Sequence, residues 1–409
     1  MAGKIGLTFK DSKEVPVHRW YPYVEGFSAS WISDMLGEYC CEGMQVYDPF
    51  GGSGTMNLEA SKRKMRSYFS EMNPFMRFIL NTKINVVRQV QTNKSKYLEE
   101  MKTVINYVGS EEFMNVSQRD LTASKYLTML EKKYFVEEDL KQLRTIYDLA
   151  EVGDYSDEVK RLIKCAAACI TVDTSNMTRR ADLRRRRDNE YLTRVVDVKN
   201  QFLFKWLQII NDINKCDILY ESAYLVSDDA RIINNDYLER FDFVITSPPY
   251  INGTNYIRNT SLELLLTEEA KSENDLKRLK CKTVCGGISD ATTSRLEDML
   301  QFSFVEEVAC KLDQSAKDKR IPFMIRCYFS DMYKVLDSVY HYMKPGAKFA
   351  LDIGDSKFYG VYIPTDSFLC MLAEKIGFKV ISVTQIAERF SRDKTKLKQV
   401  LIIFEKVRI

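Results

Sequence analysis

Histidine is nearly absent from this chain: two in 409 residues, which leaves little for a Cys/His metal set. The ten cysteines include no Cys-x2-Cys spacing. The two Cys-x3-Cys pairs, Cys165/Cys169 and Cys281/Cys285, read as free thiols, and so many unpatterned cysteines suit a reducing compartment. Long apolar runs are also missing. No stretch approaches the ~18 apolar residues of a membrane span, and the opening MAGKIGLTFKDSKEVP lacks the apolar core of a signal peptide. A soluble, cytoplasmic protein is expected. Internal repeats and low-complexity linkers are absent. A strong charge of one sign is absent too: the net charge is +3, which still leaves room for a local basic patch on a nucleic-acid binder.

What is present is an ordinary globular composition, 45% hydrophobic and 29% charged, in a length that suits one large domain with insertions or two domains. MQVYDPFGGSGT (Met44 to Thr55) reads as a short strand entering a glycine-rich turn, MNLEASKRK as a helix, and RSYFSEMNP (Arg66 to Pro74) as a second strand. That is a strand–loop–helix–strand unit long enough for a parallel crossover. From about Phe75 to Cys216 apolar residues recur three and four apart, so this stretch reads as a mainly helical insertion. Strands resume at DILYESAYLVSDDARII and FDFVITSPPY. Later, YFSDMYKVLDSVYHYMKPGAKFALDIGDS reads as helix, Pro-Gly turn and strand. The end of the chain reads as two strands joined by a charged loop. A parallel sheet that finishes in an antiparallel hairpin is unlike ordinary dinucleotide-binding folds.

The glycine turn carries chemistry. Asp48 closes a strand, and Gly51, Gly52 and Gly54 follow within six residues. Glycine lets a ligand approach the backbone, and the next helix offers free amides. The spacing is neither Gly-x-Gly-x-x-Gly nor the Gly-Lys-Ser/Thr of a phosphate loop, which argues against a nicotinamide enzyme and an ATPase. Glu71 lies at the end of the next strand, where an acid can accept hydrogen bonds from both ribose hydroxyls of a nucleoside.

DPFGGSGT together with TSPPY resembles the amino-group DNA methyltransferases that use S-adenosylmethionine and modify N4 of cytosine or N6 of adenine. The Ser-Pro-Pro-Tyr form most resembles the N4-cytosine branch. The resemblance covers roughly residues 15 to 80, 218 to 260 and 325 to 409. It implies a class I methyltransferase (Rossmann-like) α/β fold: a mostly parallel sheet ending in an antiparallel hairpin, with a large helical insertion. Residues 1–80 and 217–409 would form the catalytic domain, with 257–320 a possible target-recognition insertion. Residues 81–216 would be the helical insertion, another possible DNA-recognition region. Here the cofactor loop precedes the catalytic corner, whereas many N4-cytosine enzymes run in the permuted order.

Carried across residue by residue, Asp48, Pro49, Phe50, Gly51, Gly52, Ser53, Gly54 and Thr55 would form the cofactor loop, and Glu71 would bind the ribose. Asp229, with Asp228 as competitor, would contact the adenine amino group, and Met72 would pack on the adenine ring or in plain core. HRWYPYVEGFSASW (His18 to Trp31) resembles the segment that closes over the methionine end of the cofactor, with Tyr21 and Phe27 as its contacts. LDIGDSKFYGVYIPT (Leu351 to Thr365) resembles the family's later strand and loop.

In the corner, the Ser247 hydroxyl and the Pro248 carbonyl would hold the two N–H groups of the target amine, with Pro249 stiffening the turn. Tyr250 would stack on a flipped base. None of the nine prolines precedes a cysteine, which excludes cytosine C5 chemistry, and no metal is expected. Arg179, Arg180, Arg184, Arg185, Arg186 and Arg187, with Arg258 beyond the corner, are candidates for contacts to double-stranded DNA. Lys394, Lys396 and Lys398 are weaker ones. The resemblance also implies a cognate restriction endonuclease as a possible partner system.

Overall fold

The computed structural model describes residues 9–23, 26–114, 121–179, 182–191, 194, 196–251, 255–390 and 394–408. Its centre is a seven-stranded sheet: β1 (Gln45–Asp48), β2 (Arg66–Ser70), β3 (Ala223–Ser227), β4 (Phe241–Thr246), β5 (Met343–Gly354), β6 (Phe378–Phe390) and β7 (Lys396–Lys406). Edge to edge the order is β6-β7-β5-β4-β1-β2-β3. The strands from β3 to β5 are mutually parallel, and β7 pairs antiparallel with both β5 and β6. This is the class I methyltransferase arrangement.

The period of two along each strand builds two cores. Val46, Phe243, Ile245, Ala350 and Ile403 face the helix Ala29–Tyr39, while Tyr47, Tyr68, Val244, Phe349 and Leu351 face the helices Arg320–Tyr342 and Thr365–Ile376. The register keeps these faces aligned, with Val46 opposite Phe243 and Ile245 opposite Ala350. A slip by one residue would turn both faces out.

Between β2 and β3 the chain is mainly helical, including the helices Lys94–Gly109, Glu137–Val152, Asp157–Thr174 and Val198–Lys215. These share one core with Leu58 and Phe69 of the sheet unit and with the helix Ser261–Leu266. Two local expectations change. The arginine-rich stretch is an antiparallel pair of short strands, Met177–Arg179 and Leu183–Arg185. Pro345-Gly346 is no turn before a strand: it lies inside β5, where the pairing skips from Phe241↔Met343 to Phe243↔Lys348 and Gly346 takes φ 82°. All ten cysteines are free. Among the described residues no helix is long and apolar enough to cross a membrane.

β1 and β4 are neighbours, yet the chain leaves them toward opposite sides of the sheet. Ligands of open α/β sheets bind at such a switch point, beyond the carboxyl ends of the strands. Here those ends are Asp48-Pro49 and Ser247-Pro248.

Candidate active site

The glycine turn is tied down from several sides. The Asp48 carboxylate accepts the Phe50 amide at 2.9 Å and, from β4, the Thr246 hydroxyl at 2.7 Å. Burial pushes the Asp48 carboxyl up to about 7 against the opposing pull of these two bonds. Gly52 and Gly54 take φ 50° and 79°, the left-handed region. A Cβ on Gly54 would come within 2.7 Å of Leu80 Cγ. At Gly54 the need for glycine thus comes from packing behind the turn as well as from its backbone angle.

Glu71 clamps the same turn. One carboxylate oxygen accepts the Gly52 amide and the other the Asn73 amide, both at 2.8 Å. Burial raises its pKa, and these amide bonds oppose the rise. Each oxygen keeps a lone pair, so a ribose diol can still be held.

Around this turn lies a cleft of about 860 Å³, counted to its open mouth. Asp48, Pro49, Phe50, Gly51, Gly52, Ser53, Thr55, Glu71, Met72, Asp229, Phe27 and Ser247 all line it. Of the two competing aspartates, Asp229 lines the cleft and Asp228 is exposed. Burial alone would raise the Asp229 pKa, but Arg231, donating at 2.7 Å, holds it below the usual range. Tyr21 stands apart: it is buried, its hydroxyl donates to Glu263 at 3.0 Å, and Tyr23 takes the place in the cleft wall. Gly54 supports the turn without lining the cleft. The Ser53 hydroxyl is buried here with no partner. An unsatisfied hydroxyl, free helix amides, a carboxylate with lone pairs to spare and a second acid fit the amino-acid, ribose and adenine parts of S-adenosylmethionine.

The Ser-Pro-Pro-Tyr corner follows β4 directly. Ser247 is half-buried and lines the cleft with Pro249; Pro248 is buried and does not line it. The Tyr250 ring does not line the cleft. It lies under Arg389, whose guanidinium carbon is 4.7 Å from the ring centre, and its hydroxyl accepts from Gln399 Nε2 at 3.1 Å. Burial drives the Tyr250 pKa well up. The same Gln399 nitrogen donates to Asp352 at 2.9 Å. Burial pushes Asp352 up to about 6, opposed by hydrogen bonds from Gln399, Tyr250 and Ser247. A Cβ on Gly286 would come 3.2 Å from the Tyr250 carbonyl, so at Gly286 the chain passes close against the corner.

Sequence reasoning did not single out Asp352, Gln399, Arg389 or Tyr23. All four lie in the stretches that the family resemblance covers, but only Asp352 and Tyr23 fall in segments matched to it residue by residue.

The arginines divide. Arg179 is no phosphate contact: it is largely buried, ion-paired to Glu263 and set over the Tyr21 ring. Arg184 is held by both oxygens of Glu190, each at 2.8 Å. Arg185 and Arg187 are exposed, Arg186 is half-buried, and Arg258 is exposed on the short helix Tyr256–Asn259. The Leu183 amide donates to Asn259 at 2.7 Å, which docks the arginine hairpin beside Tyr256 in the cleft wall. Arg180 lies outside the described residues.

No protein-family profile matches the chain. It is similar over most of its length to the Type II methyltransferase M.BsoBI of Geobacillus stearothermophilus, at 23% identity over 94% of this chain and 82% of that protein. It is also similar to the Type II methyltransferase M.AvaI of Nostoc sp., at 22% over 91% and 81%, and to the Type II methyltransferase M.MvaI of Kocuria varians, at 20% over 91% and 84%. Among solved structures, a SAM-dependent methyltransferase from Methanosarcina mazei overlays with a TM-score of 0.30 at 9% identity, covering 92% of this chain and 98% of that one. The fold of this chain rests on its own strand order. The two motifs, the cleft they share and the near-full-length matches agree: the chain resembles the S-adenosylmethionine-dependent amino-group DNA methyltransferases, and S-adenosylmethionine is its cofactor.

Proposed function

We propose that the chain methylates the exocyclic N4 amine of cytosine in duplex DNA at a specific sequence. The observation that carries this reading is Ser247 at the end of β4, lining the same cleft as Glu71 and the glycine turn. When bound, S-adenosylmethionine supplies an electrophilic methyl group.

An exocyclic amine is a poor nucleophile because its lone pair is delocalised into the ring. The Ser247 hydroxyl and the Pro248 carbonyl accept its two N–H bonds and so aim the lone pair at the methyl carbon. Two prolines keep both acceptors in place before the base arrives. Arg389 covers one face of Tyr250, and the other face is the one a flipped base would stack on. Asp352, linked to the corner through Gln399 and Tyr250, can take up the proton that the amine releases by way of Ser247. The exposed Arg185, Arg187 and Arg258 contact phosphates flanking the target.

The alternative is N6 of adenine, since an amine on either base meets the same two acceptors. Nucleoside analysis of DNA treated with the protein and labelled cofactor separates them. N4-methylcytosine is expected, and it should vanish with Ser247→Ala. N6-methyladenine as the sole product would replace the cytosine assignment.

A further inference from the structure

Lys83 is a lysine with no contact to solvent, buried in the π-helical turn Thr82–Val86. Turns of this kind are rare and gather at functional sites. Its ammonium donates to the Ser53 carbonyl at 2.8 Å, the middle of the glycine turn. Among the described residues no ion pair reaches it. The titratable groups around it are Cys165 and Cys169 on the helix Asp157–Thr174, Lys62 on the helix Thr55–Lys62, and His18, which is paired with Glu59. A buried charge without a carboxylate is costly to the fold. A Met or Leu would fill the same space without that cost. The Ser53 hydroxyl on the cleft side of the turn is buried and unpartnered, so a buried charge without an ion-pair partner and an unpartnered hydroxyl meet at one residue of the cofactor loop.

We propose that Lys83 is a positioning residue for the cofactor: its ammonium, fixed on the Ser53 carbonyl, holds the glycine turn in the shape that takes S-adenosylmethionine. This rests on the assignment of the cleft as the cofactor site. Burial lowers the Lys83 pKa from its ordinary value to about 8, with the thiols of Cys165 and Cys169 opposing the drop. The charge that fixes the turn is therefore lost within an accessible pH range. The fold holds this proton less tightly than the unfolded chain does. Stability from this group thus rises as pH climbs from about 8 toward the ordinary lysine value, while cofactor binding weakens over the same interval.

Calorimetric titration of the full chain tests this. S-adenosylhomocysteine gives the affinity at pH 7, and 5′-methylthioadenosine, which has no amino acid to titrate, gives the pH series. The wild-type protein should lose affinity for 5′-methylthioadenosine as pH rises through about 8. Lys83→Met should bind S-adenosylhomocysteine about tenfold more weakly at pH 7, the worth of one hydrogen bond to a charged group, and should show no such pH step. Affinity within twofold of wild type, or a pH step that persists in Lys83→Met, overturns the proposal. Should the variant not fold, a flat pH series in the wild type overturns it as well. Failure of the wild type to bind either probe would instead remove the cofactor reading of the cleft.

Discussion

The Thr246 hydroxyl donates to the Asp48 carboxylate across 2.7 Å, although 198 residues separate the two in sequence. Asp48 ends β1 and opens the glycine turn; Thr246 ends β4 and precedes Ser247. This bond ties the cofactor loop to the catalytic corner just beyond the β1–β4 pairing that brings the two strand ends together.

Thr246→Val keeps the shape and removes the donor. Asp48 then stays buried with only the Phe50 amide, at a cost of about 1–3 kcal/mol. The cost should depend on pH with a definite sign. The folded-state pKa of Asp48 is raised to about 7, so its contribution is fully present at pH below its unfolded value and is lost as pH rises toward 7. Loss of the Thr246 bond pushes that pKa higher still. Urea unfolding should show a larger gap between variant and wild type at pH 8 than at pH 5. A gap that is equal at both would show that the bond contributes nothing to holding the ionised form.

Asp352 gives a kinetic prediction. If its carboxylate receives the amine proton, turnover needs the ionised form and should rise with pH through about 6. Asp352→Asn should lower kcat by about 10²–10⁴-fold and abolish that acidic limb, with KM for the cofactor nearly unchanged. Single-turnover methyl transfer between pH 5 and 8 measures both. Survival of the acidic limb in Asp352→Asn would assign it to another group.

The strands, the glycine turn and the proline corner were legible in the sequence because each is written locally. An apolar run marks each strand, and glycines or prolines mark the turn at its end. Asp352 and Gln399 were not legible as a pair. They meet because β7 folds back antiparallel on β5, with Gln399 opposite Gly354 and Leu401 opposite Asp352, and a register of that kind leaves no local mark. Tyr21 and Tyr23 are two residues apart in one aromatic segment. Which of them reaches the cleft is set by the turn His18–Trp20 and by Asp212, which accepts the Val17 amide and the Trp20 indole, both at 3.0 Å. Within the arginine run Arg179 misled for a similar reason: its partner is Glu263, far along the chain and invisible to composition.

Glu71 can be tested separately from the corner. Its two oxygens accept from two backbone amides, Gly52 and Asn73. In Glu71→Gln one oxygen becomes an NH2 that faces an N–H donor. The turn should loosen and a diol contact should be lost. KM for S-adenosylmethionine is expected to rise by about 10- to 100-fold, with kcat within a few-fold of wild type. Equal losses in kcat and kcat/KM would instead place Glu71 in the transfer step itself.

The arginines separate contact with DNA from support of the fold. Arg185 and Arg187 are exposed on the hairpin docked beside the cleft, so Arg185→Ala and Arg187→Ala should leave unfolding nearly unchanged. Each should weaken duplex binding and reduce the slope of log K against log salt by about one unit. Arg179→Ala should do the reverse. It leaves Glu263 buried without its cation, beside a Glu263 oxygen that already lacks a partner, at a cost of about 3–5 kcal/mol. Its salt slope, measured on whatever protein remains folded, should match wild type. Fluorescence anisotropy of a labelled duplex across a salt series, paired with urea unfolding of each variant, measures both quantities. A reduced salt slope in Arg179→Ala with stability intact would return that residue to the DNA surface and would require the hairpin to open when DNA binds.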